Sequence, residues 1–159
     1  MHEIVGMLDP SRDIYYPPKN NEPSHCKAGL HYSIPDDVVG IGLKVDPLYE
    51  DDKEWAVLYH GTKPNNLLSI LKTQLRPGGG QAHKGTKDPW GMTVPNGVYF
   101  SFWVNQSFSY TFPNNPMIME VFVKDVYVAP GCKGYAVSNK HQLSRILVPL
   151  QRNRAEQQR

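Results

Sequence analysis

The chain has few cysteines, little net charge and no long hydrophobic run. Cys26 and Cys132 are the only cysteines among 159 residues, and without a CxxC pair they predict neither a disulfide framework nor a zinc site. Seventeen basic residues against fifteen acidic ones leave a formal net charge of +2, which disfavours nucleic acid as a partner. No segment approaches the roughly 20 apolar residues that span a bilayer, and no signal-peptide pattern is present. We therefore expect a soluble protein of the cytoplasm or nucleus, without a membrane partner.

The length and the pattern of elements predict a single domain covering residues 1–159 and acting as a monomer. Residues 1–35 are rich in proline, which is typical of turns and extended segments, so we expect an arm packed on the domain. Residues 151–159 are expected to be a flexible tail. Few helices and many short strands predict the α+β class.

Residues 55–110 are the stretch around which the chain is organised. Residues 55–59 are apolar and aromatic, as in a buried strand that ends at the glycine-containing His60-Gly61-Thr62. A helix is predicted to start near Pro64, and its buried face is predicted to contain the apolar residues Leu67, Leu68, Ile70, Leu71 and Leu75. Residues 97–100 predict a second strand, and residues 105–110 predict the start of another helix.

The C-terminal part predicts further strands. Residues 117–128 alternate so that the Met and Val row forms the buried face, which leaves Glu120 as a solvent-facing partner of Lys124. Residues 134–137 and 145–150 are predicted to be the closing strands. The acidic residues 46–54 lack the ligand spacing of a calcium loop, so a solvated loop without metal is expected.

Several pieces of this stretch, in this order, resemble the catalytic core of the poly(ADP-ribose) polymerase-like ADP-ribosyltransferases. Members of that family carry a His-Gly-Ser/Thr after an apolar strand, an Asn at a helix start, a Gly-Leu-Arg helix end and a Gly-x-Tyr-Phe followed by Ser and Tyr. The matching positions here are His60-Gly61-Thr62, Asn66, Gln74-Leu75-Arg76, residues 97–100, Ser107 and Tyr110. The resemblance implies two packed antiparallel sheets that open to form a cleft for NAD.

The resemblance also implies roles for individual residues. His60 and Tyr99 take the catalytic positions, with His60 bonded to a ribose hydroxyl of the adenosine half of NAD. NAD is the co-substrate, and no metal is required. The residues that the resemblance assigns to NAD binding are Gly61, Thr62, Asn66, Arg76, Ser107 and Tyr110. Among them, Gly61 and Ser107 hold the carboxamide, and Tyr110 stacks on the nicotinamide ring.

The sequence departs from the family pattern at the third signature position, where polymerising members have a glutamate. Aligned through Tyr135, Val137 and Gln142, that position is Gly134. A glycine cannot stabilise the positive charge that grows on the ribose, so chain elongation is disfavoured. The resemblance then implies mono-ADP-ribosylation of a protein acceptor, with ubiquitin or another signalling protein as the candidate. The alternative is a catalytically silent module that binds NAD, ADP-ribose or a protein partner.

Each of these residues also has an ordinary structural explanation. A lone His after a strand is usually a hydrogen-bonded structural residue, and a strand Tyr usually belongs to the core. The joint spacing favours the functional interpretation for the His, the two Tyr and the Ser of the motif, and leaves both open for Asn66, Arg76 and His83. The loop over residues 77–96 is interpreted either as a lid beside the donor site or as a disordered connection.

Overall fold

A computed structural model of the chain describes residues 2–18, 25–77, 85–104, 117–130 and 135–150. Within these ranges there are short α-helices at His2–Val5 (α1), Leu48–Asp51 (α2) and Leu67–Thr73 (α3), and 3-10 turns at Pro10–Arg12 and Pro64–Asn66. The strands are Ile14–Tyr16 (β1), His25–Lys27 (β2), Leu30–Tyr32 (β3), Val38–Gly42 (β4), Ala56–Thr62 (β5), Val98–Ser101 (β6), Met117–Lys124 (β7), Tyr127–Val128 (β8), Tyr135–Ser138 (β9) and Lys140–Pro149 (β10). The predicted α+β class is confirmed.

Eight of these strands form one antiparallel sheet in the order β1-β4-β10-β7-β5-β6-β9-β8, while β2 and β3 form a separate hairpin. In the described part of the chain, one continuous sheet therefore stands where two packed sheets are predicted. The pairing between neighbouring strands is shortest between β5 and β6, which share a single residue pair, Tyr59 with Ser101. By contrast, β5 pairs with β7 along its whole length, from Ala56 to Thr62.

Strand β7 lies in the middle of the sheet, between β10 and β5, and every residue before Lys124 is buried. The prediction of one buried and one exposed row is therefore wrong. The reason is that the sheet is covered on both faces, which the alternation within one strand does not reveal. One face packs against α3 in a cluster that includes Leu58, Ile70, Leu71, Met119 and Val121. The opposite face packs in a second cluster of Val38, Tyr59, Val104, Ile118 and Leu147.

Strand β5 continues past the point where the sequence predicts its end. His60 and Gly61 lie within the strand, because pairing with β7 extends to Thr62, opposite Met117, and holds the backbone extended. The buried face of α3 is narrower than predicted, because it does not include Leu68. Leu68 is 41% exposed, whereas Ile70 is buried. These two positions lie about 200° apart around a helix of 3.6 residues per turn, so they point in nearly opposite directions.

Strand pairing and hydrogen bonds hold the N-terminal segment against the sheet. β1 pairs with β4 as an edge strand. A Cβ on Gly42 would lie 2.5 Å from the carbonyl oxygen of Asp9, so only glycine lets this segment approach so closely. The Arg12 guanidinium donates hydrogen bonds to the carbonyl oxygens of Leu43 and Ser144, at 2.7 Å each. These contacts join residues that are far apart in the sequence.

The end of α3 carries backbone strain that a substitution should relieve. Gln74 has φ +64° and ψ −178°, a conformation that is almost restricted to glycine and costs other residues about 1–3 kcal/mol. We expect Gln74→Gly to raise the free energy of unfolding, measured by urea denaturation, by about 1 kcal/mol. Thr73→Gly is the matched control, because it places glycine in the last turn of the helix and should lower stability by about 1 kcal/mol. A loss of stability in Gln74→Gly would contradict the strain.

Candidate functional site

The candidate site centres on His60, where β5 meets β6. The Nδ1 atom of His60 lies 2.7 Å from the backbone carbonyl oxygen of Tyr99. A carbonyl oxygen only accepts hydrogen bonds, so Nδ1 must carry a hydrogen and donate it. The Nε2 atom of the neutral ring then keeps a lone pair, which can accept a hydrogen bond from a ligand hydroxyl. The backbone of the neighbouring strand thus selects the tautomer of the ring.

The environment of His60 keeps the ring neutral. Burial lowers the pKa of His60 below its ordinary value, and the hydrogen bond to the Tyr99 carbonyl opposes this shift only in part. No carboxylate of the described residues contributes to this pKa. His60 is therefore a hydrogen-bond acceptor at neutral pH, and it does not supply a positive charge to the site.

The rings of Tyr99 and His60 lie on opposite faces of the sheet. Phe100 packs edge-on against His60, with ring centroids 5.9 Å apart, and alternation along β6 directs Tyr99 to the other face. There the Tyr99 ring stacks on Tyr135, with centroids 5.4 Å apart and planes within 3° of each other. The two predicted catalytic residues thus meet through the Tyr99 backbone rather than through their rings.

The other predicted residues on β5 continue along the strand from His60. Gly61 and Thr62 pair with Ile118 and Met117 of β7, and Thr62 is buried. Gly61 therefore places its backbone directly beside His60, while Thr62 contributes to the packing of the strand end.

The remaining predicted residues lie farther from His60 or outside the described residues. Asn66 and Arg76 are exposed, one just before α3 and the other just after it, and no side-chain contact joins either of them to His60 within the described part of the chain. The positions that lie outside the described residues are Ser107, Tyr110, Gly134 and His83.

His141 belongs to this neighbourhood, although the sequence offers no support for it. Its Nε2 atom accepts a hydrogen bond of 2.9 Å from the backbone N–H of Leu75, which ties the chain after α3 to β10. Its ring lies 6.2 Å from the ring of Phe100, which also contacts His60. Burial, with a smaller contribution from the proximity of His60, lowers the pKa of His141. A lone histidine on a strand carries no signal of such a role, because the role depends on which elements pack above the strand.

Glu120 contradicts its prediction as a solvent-facing partner of Lys124. Its side chain is buried and bonded to Arg145 Nη1 at 2.9 Å, to the Tyr16 hydroxyl at 3.0 Å and to the Ser144 hydroxyl at 3.3 Å. The actual partner of Lys124 is the exposed Glu54. The prediction failed because β10 places Arg145 opposite Glu120 in the sheet, a pairing that the local sequence cannot reveal.

Glu120 also lies on the wrong face to replace the missing glutamate. Along β7 it alternates with Met119 and Val121, which pack in the cluster beneath α3 together with Phe100, the neighbour of His60. Glu120 therefore points away from that cluster. Its hydrogen bonds to Arg145, Tyr16 and Ser144 commit both carboxylate oxygens, so Glu120 supplies no carboxylate to the His60 site.

Removing the Glu120 charge should destabilise the fold. We expect Glu120→Gln to lower the free energy of unfolding by about 3 kcal/mol, because it leaves the partly buried Arg145 guanidinium without its closest counter-charge. Glu54→Gln is the matched control, since the Glu54 side chain is 67% exposed in its pair with Lys124, and its effect should be much smaller. Equal changes in the urea midpoints of the two variants would contradict a structural role for Glu120.

The lowered pKa values of His60 and His141 predict a dependence of stability on pH. Below about pH 6.5, the ordinary histidine pKa, the unfolded chain binds more protons than the folded chain. The free energy of unfolding should therefore fall as the pH is lowered from 7.0 to 5.5. The double variant His60→Gln/His141→Gln should show a shallower fall in urea titrations. An unchanged slope in the double variant would contradict the assignment.

Within the described residues, no group of three or more His, Cys, Asp or Glu side chains is placed to hold a metal ion. No helix of those residues has both the length and the apolar character needed to cross a membrane. Comparison of the chain with protein-family models and with curated proteins found no match.

Proposed function

We propose that the chain is an NAD-dependent mono-ADP-ribosyltransferase that modifies a protein acceptor. The observation that carries the proposal is the geometry of His60, whose Nδ1 is bonded to the Tyr99 carbonyl. Its Nε2 is left as an acceptor for a hydroxyl group, and a ribose hydroxyl is the group that the His-Gly-Thr motif is expected to bind. A purely structural histidine has no need of the His-Gly and Gly-x-Tyr-Phe motifs side by side on neighbouring strands.

The junction between β5 and β6 supports this proposal. Because the two strands share only the pair of Tyr59 and Ser101, the His60 ring, rather than a regular ladder, joins the strands next to that pair. The ladder between β5 and β6 does not extend past that pair, so a ligand can approach the β5 backbone there. Gly61 lies there, in the position that the resemblance assigns to the nicotinamide carboxamide.

The proposed reaction breaks the bond between nicotinamide and the ribose C1′. Nicotinamide leaves as a neutral molecule with the electron pair of that bond, and positive charge grows on the ribose. The nucleophilic group of the acceptor then forms the new bond to C1′: a carboxylate attacks without losing a proton, whereas a neutral nucleophile releases its proton to solvent. By holding NAD in the geometry of reaction, the site contributes chiefly through orientation. His60 orients a ribose hydroxyl, and the backbone of Gly61 with Ser107 and Tyr110 holds the nicotinamide.

Transfer of a single ADP-ribose unit, rather than chain elongation, is consistent with the lack of a glutamate at the third signature position. The third signature position is Gly134, and Glu120 is committed to Arg145 and Tyr16 away from His60. Neither position therefore offers a carboxylate that activates a ribose hydroxyl as the next acceptor. An acidic side chain of the acceptor protein would itself stabilise the developing charge.

The lack of a carboxylate near His60 among the described residues also favours a second candidate function. This is a catalytically silent module that binds NAD or ADP-ribose. The pKa of His60 carries no contribution from a carboxylate of the described residues, so the described part of the site has hydrogen-bonding groups without an opposing negative charge. Such a site can bind the dinucleotide without cleaving it.

The deciding experiment measures NAD binding by calorimetry and nicotinamide release by chromatography on the same preparations. We expect His60→Phe, which removes the Nε2 acceptor, to weaken NAD binding about ten-fold. His25→Phe, at an exposed hairpin position, is the matched control and should bind like the wild type. Gly134→Glu should raise nicotinamide release about five-fold, if the added carboxylate recovers about 1 kcal/mol of transition-state stabilisation.

The outcomes separate the two candidates. Nicotinamide release with label on a protein supports the transferase, whereas binding without release supports the silent module. Absence of NAD binding in the folded wild-type chain would contradict the transferase, and absence of both NAD and ADP-ribose binding would contradict the silent module as well. Circular dichroism of each variant distinguishes a lost contact from a lost fold.

A further inference from the structure

A cavity of about 230 Å³ opens on the face of the sheet opposite α3. Its floor includes Glu120 and Phe122, which alternate along β7 with residues of the α3 cluster. Three tyrosines complete its aromatic wall: Tyr16 from β1, Tyr32 from the hairpin and Tyr59 from β5. The cavity therefore lies on the opposite face of the sheet from the His60 ring, although both use residues of β5.

The charges around the cavity balance. Lys27 and Arg145 supply two positive charges, and Glu50 and Glu120 supply two negative ones. Arg145 forms ion pairs with both acids, at 2.9 Å to Glu120 and 3.9 Å to Glu50. An ionic ligand would add a charge without a free partner, and leaving a charge unpaired in a partly buried site is costly. The electrostatics favour a ligand without net charge.

Most polar groups of the cavity are already bonded. The ammonium of Lys27 donates to the backbone carbonyls of Tyr49, Asp52 and Trp55. The Glu120 carboxylate accepts from Tyr16, Ser144 and Arg145. The donors of Lys27 and the acceptors of Glu120 are therefore largely occupied within the protein.

Two donors facing the cavity are left over. Across the described residues, the Tyr32 hydroxyl makes no hydrogen bond. The Arg145 Nη2 has the Glu50 oxygen at 3.9 Å as its nearest acidic partner, which is beyond hydrogen-bond distance. Both groups can donate, and both residues are only partly buried. An acceptor atom of a ligand in the cavity can therefore take these hydrogen bonds in place of solvent.

We propose that this cavity is a binding site for a small uncharged molecule with a flat or apolar body and a carbonyl-type acceptor. The aromatic wall of Tyr16, Tyr59 and Phe122 takes the body, and Tyr32 and Arg145 donate to the acceptor oxygen. The volume of about 230 Å³ is below the range of drug-sized pockets, so the ligand is a compact molecule of roughly ten non-hydrogen atoms. This site does not depend on the proposed NAD chemistry.

The test compares three probes that share one phenyl ring: acetophenone, benzoate and benzylamine. Each is titrated into the full chain, and the backbone amide shifts are followed by NMR. Acetophenone should shift the amides of Tyr16, Tyr32 and Glu120, leave His60 unchanged, and bind at least ten-fold more tightly than the two charged probes. Acetophenone lacks the amide N–H of a carboxamide, so it distinguishes this cavity from a nicotinamide site.

The variant Tyr32→Phe keeps the ring and removes the donor, and it should weaken acetophenone about five-fold. Tyr15→Phe is the matched control, because the Tyr15 hydroxyl bonds to Asp37 outside the cavity, and it should bind as the wild type does. The proposal is overturned if millimolar acetophenone causes no shifts at the cavity, if a charged probe binds as tightly, or if Tyr32→Phe binds unchanged. Both variants are single-atom deletions on partly exposed tyrosines, so each is expected to fold.

Discussion

The two-sided pairing of β7, with β5 on one side and β10 on the other, is the constraint on which the rest of the structure depends. Once β7 is held in register by both neighbours, alternation decides the face of every side chain along it. Met119 is directed beneath α3, and Glu120 to the opposite face. A shift of one residue would bury the methionines beside Arg145 and place the carboxylate in the α3 cluster, which is why the register is strongly specified.

The position of His60 follows from the same pairing. β7 holds β5 extended through Gly61 and Thr62, so the His60 ring stays within a strand instead of entering a loop. Its neighbour β6 contacts β5 through one residue pair, and the bond from His60 to the Tyr99 carbonyl bridges the strands there. The ring is thereby fixed in one tautomer by backbone alone, and burial keeps it neutral. These are the properties of an acceptor for a hydroxyl group.

On the other face, ionic contacts join segments that are distant in sequence. Arg145 on β10 reaches Glu120 on β7 and donates through Nε to the carbonyl of Arg12. Arg12 in turn pairs with Glu50 in α2. The network fastens the N-terminal segment across the sheet and at the same time forms one wall of the cavity. Its stabilising contribution is greatest where solvent is excluded, at Glu120, and smallest at the half-exposed Glu50.

The sequence by itself determined the α+β class, the positions of most strands and the helix after Pro64, because these depend on local periodicity and on residues such as proline and glycine. It also supplied His60 and Tyr99 as candidate site residues, and the structure makes their strands β5 and β6 neighbours. Only the tertiary structure decided the burial of Glu120, the contact of His141 with Leu75 and the face of the Tyr99 ring. Each of these depends on which strand becomes a neighbour and which element covers the sheet. Such contacts join residues tens of positions apart, and local periodicity carries no information about them.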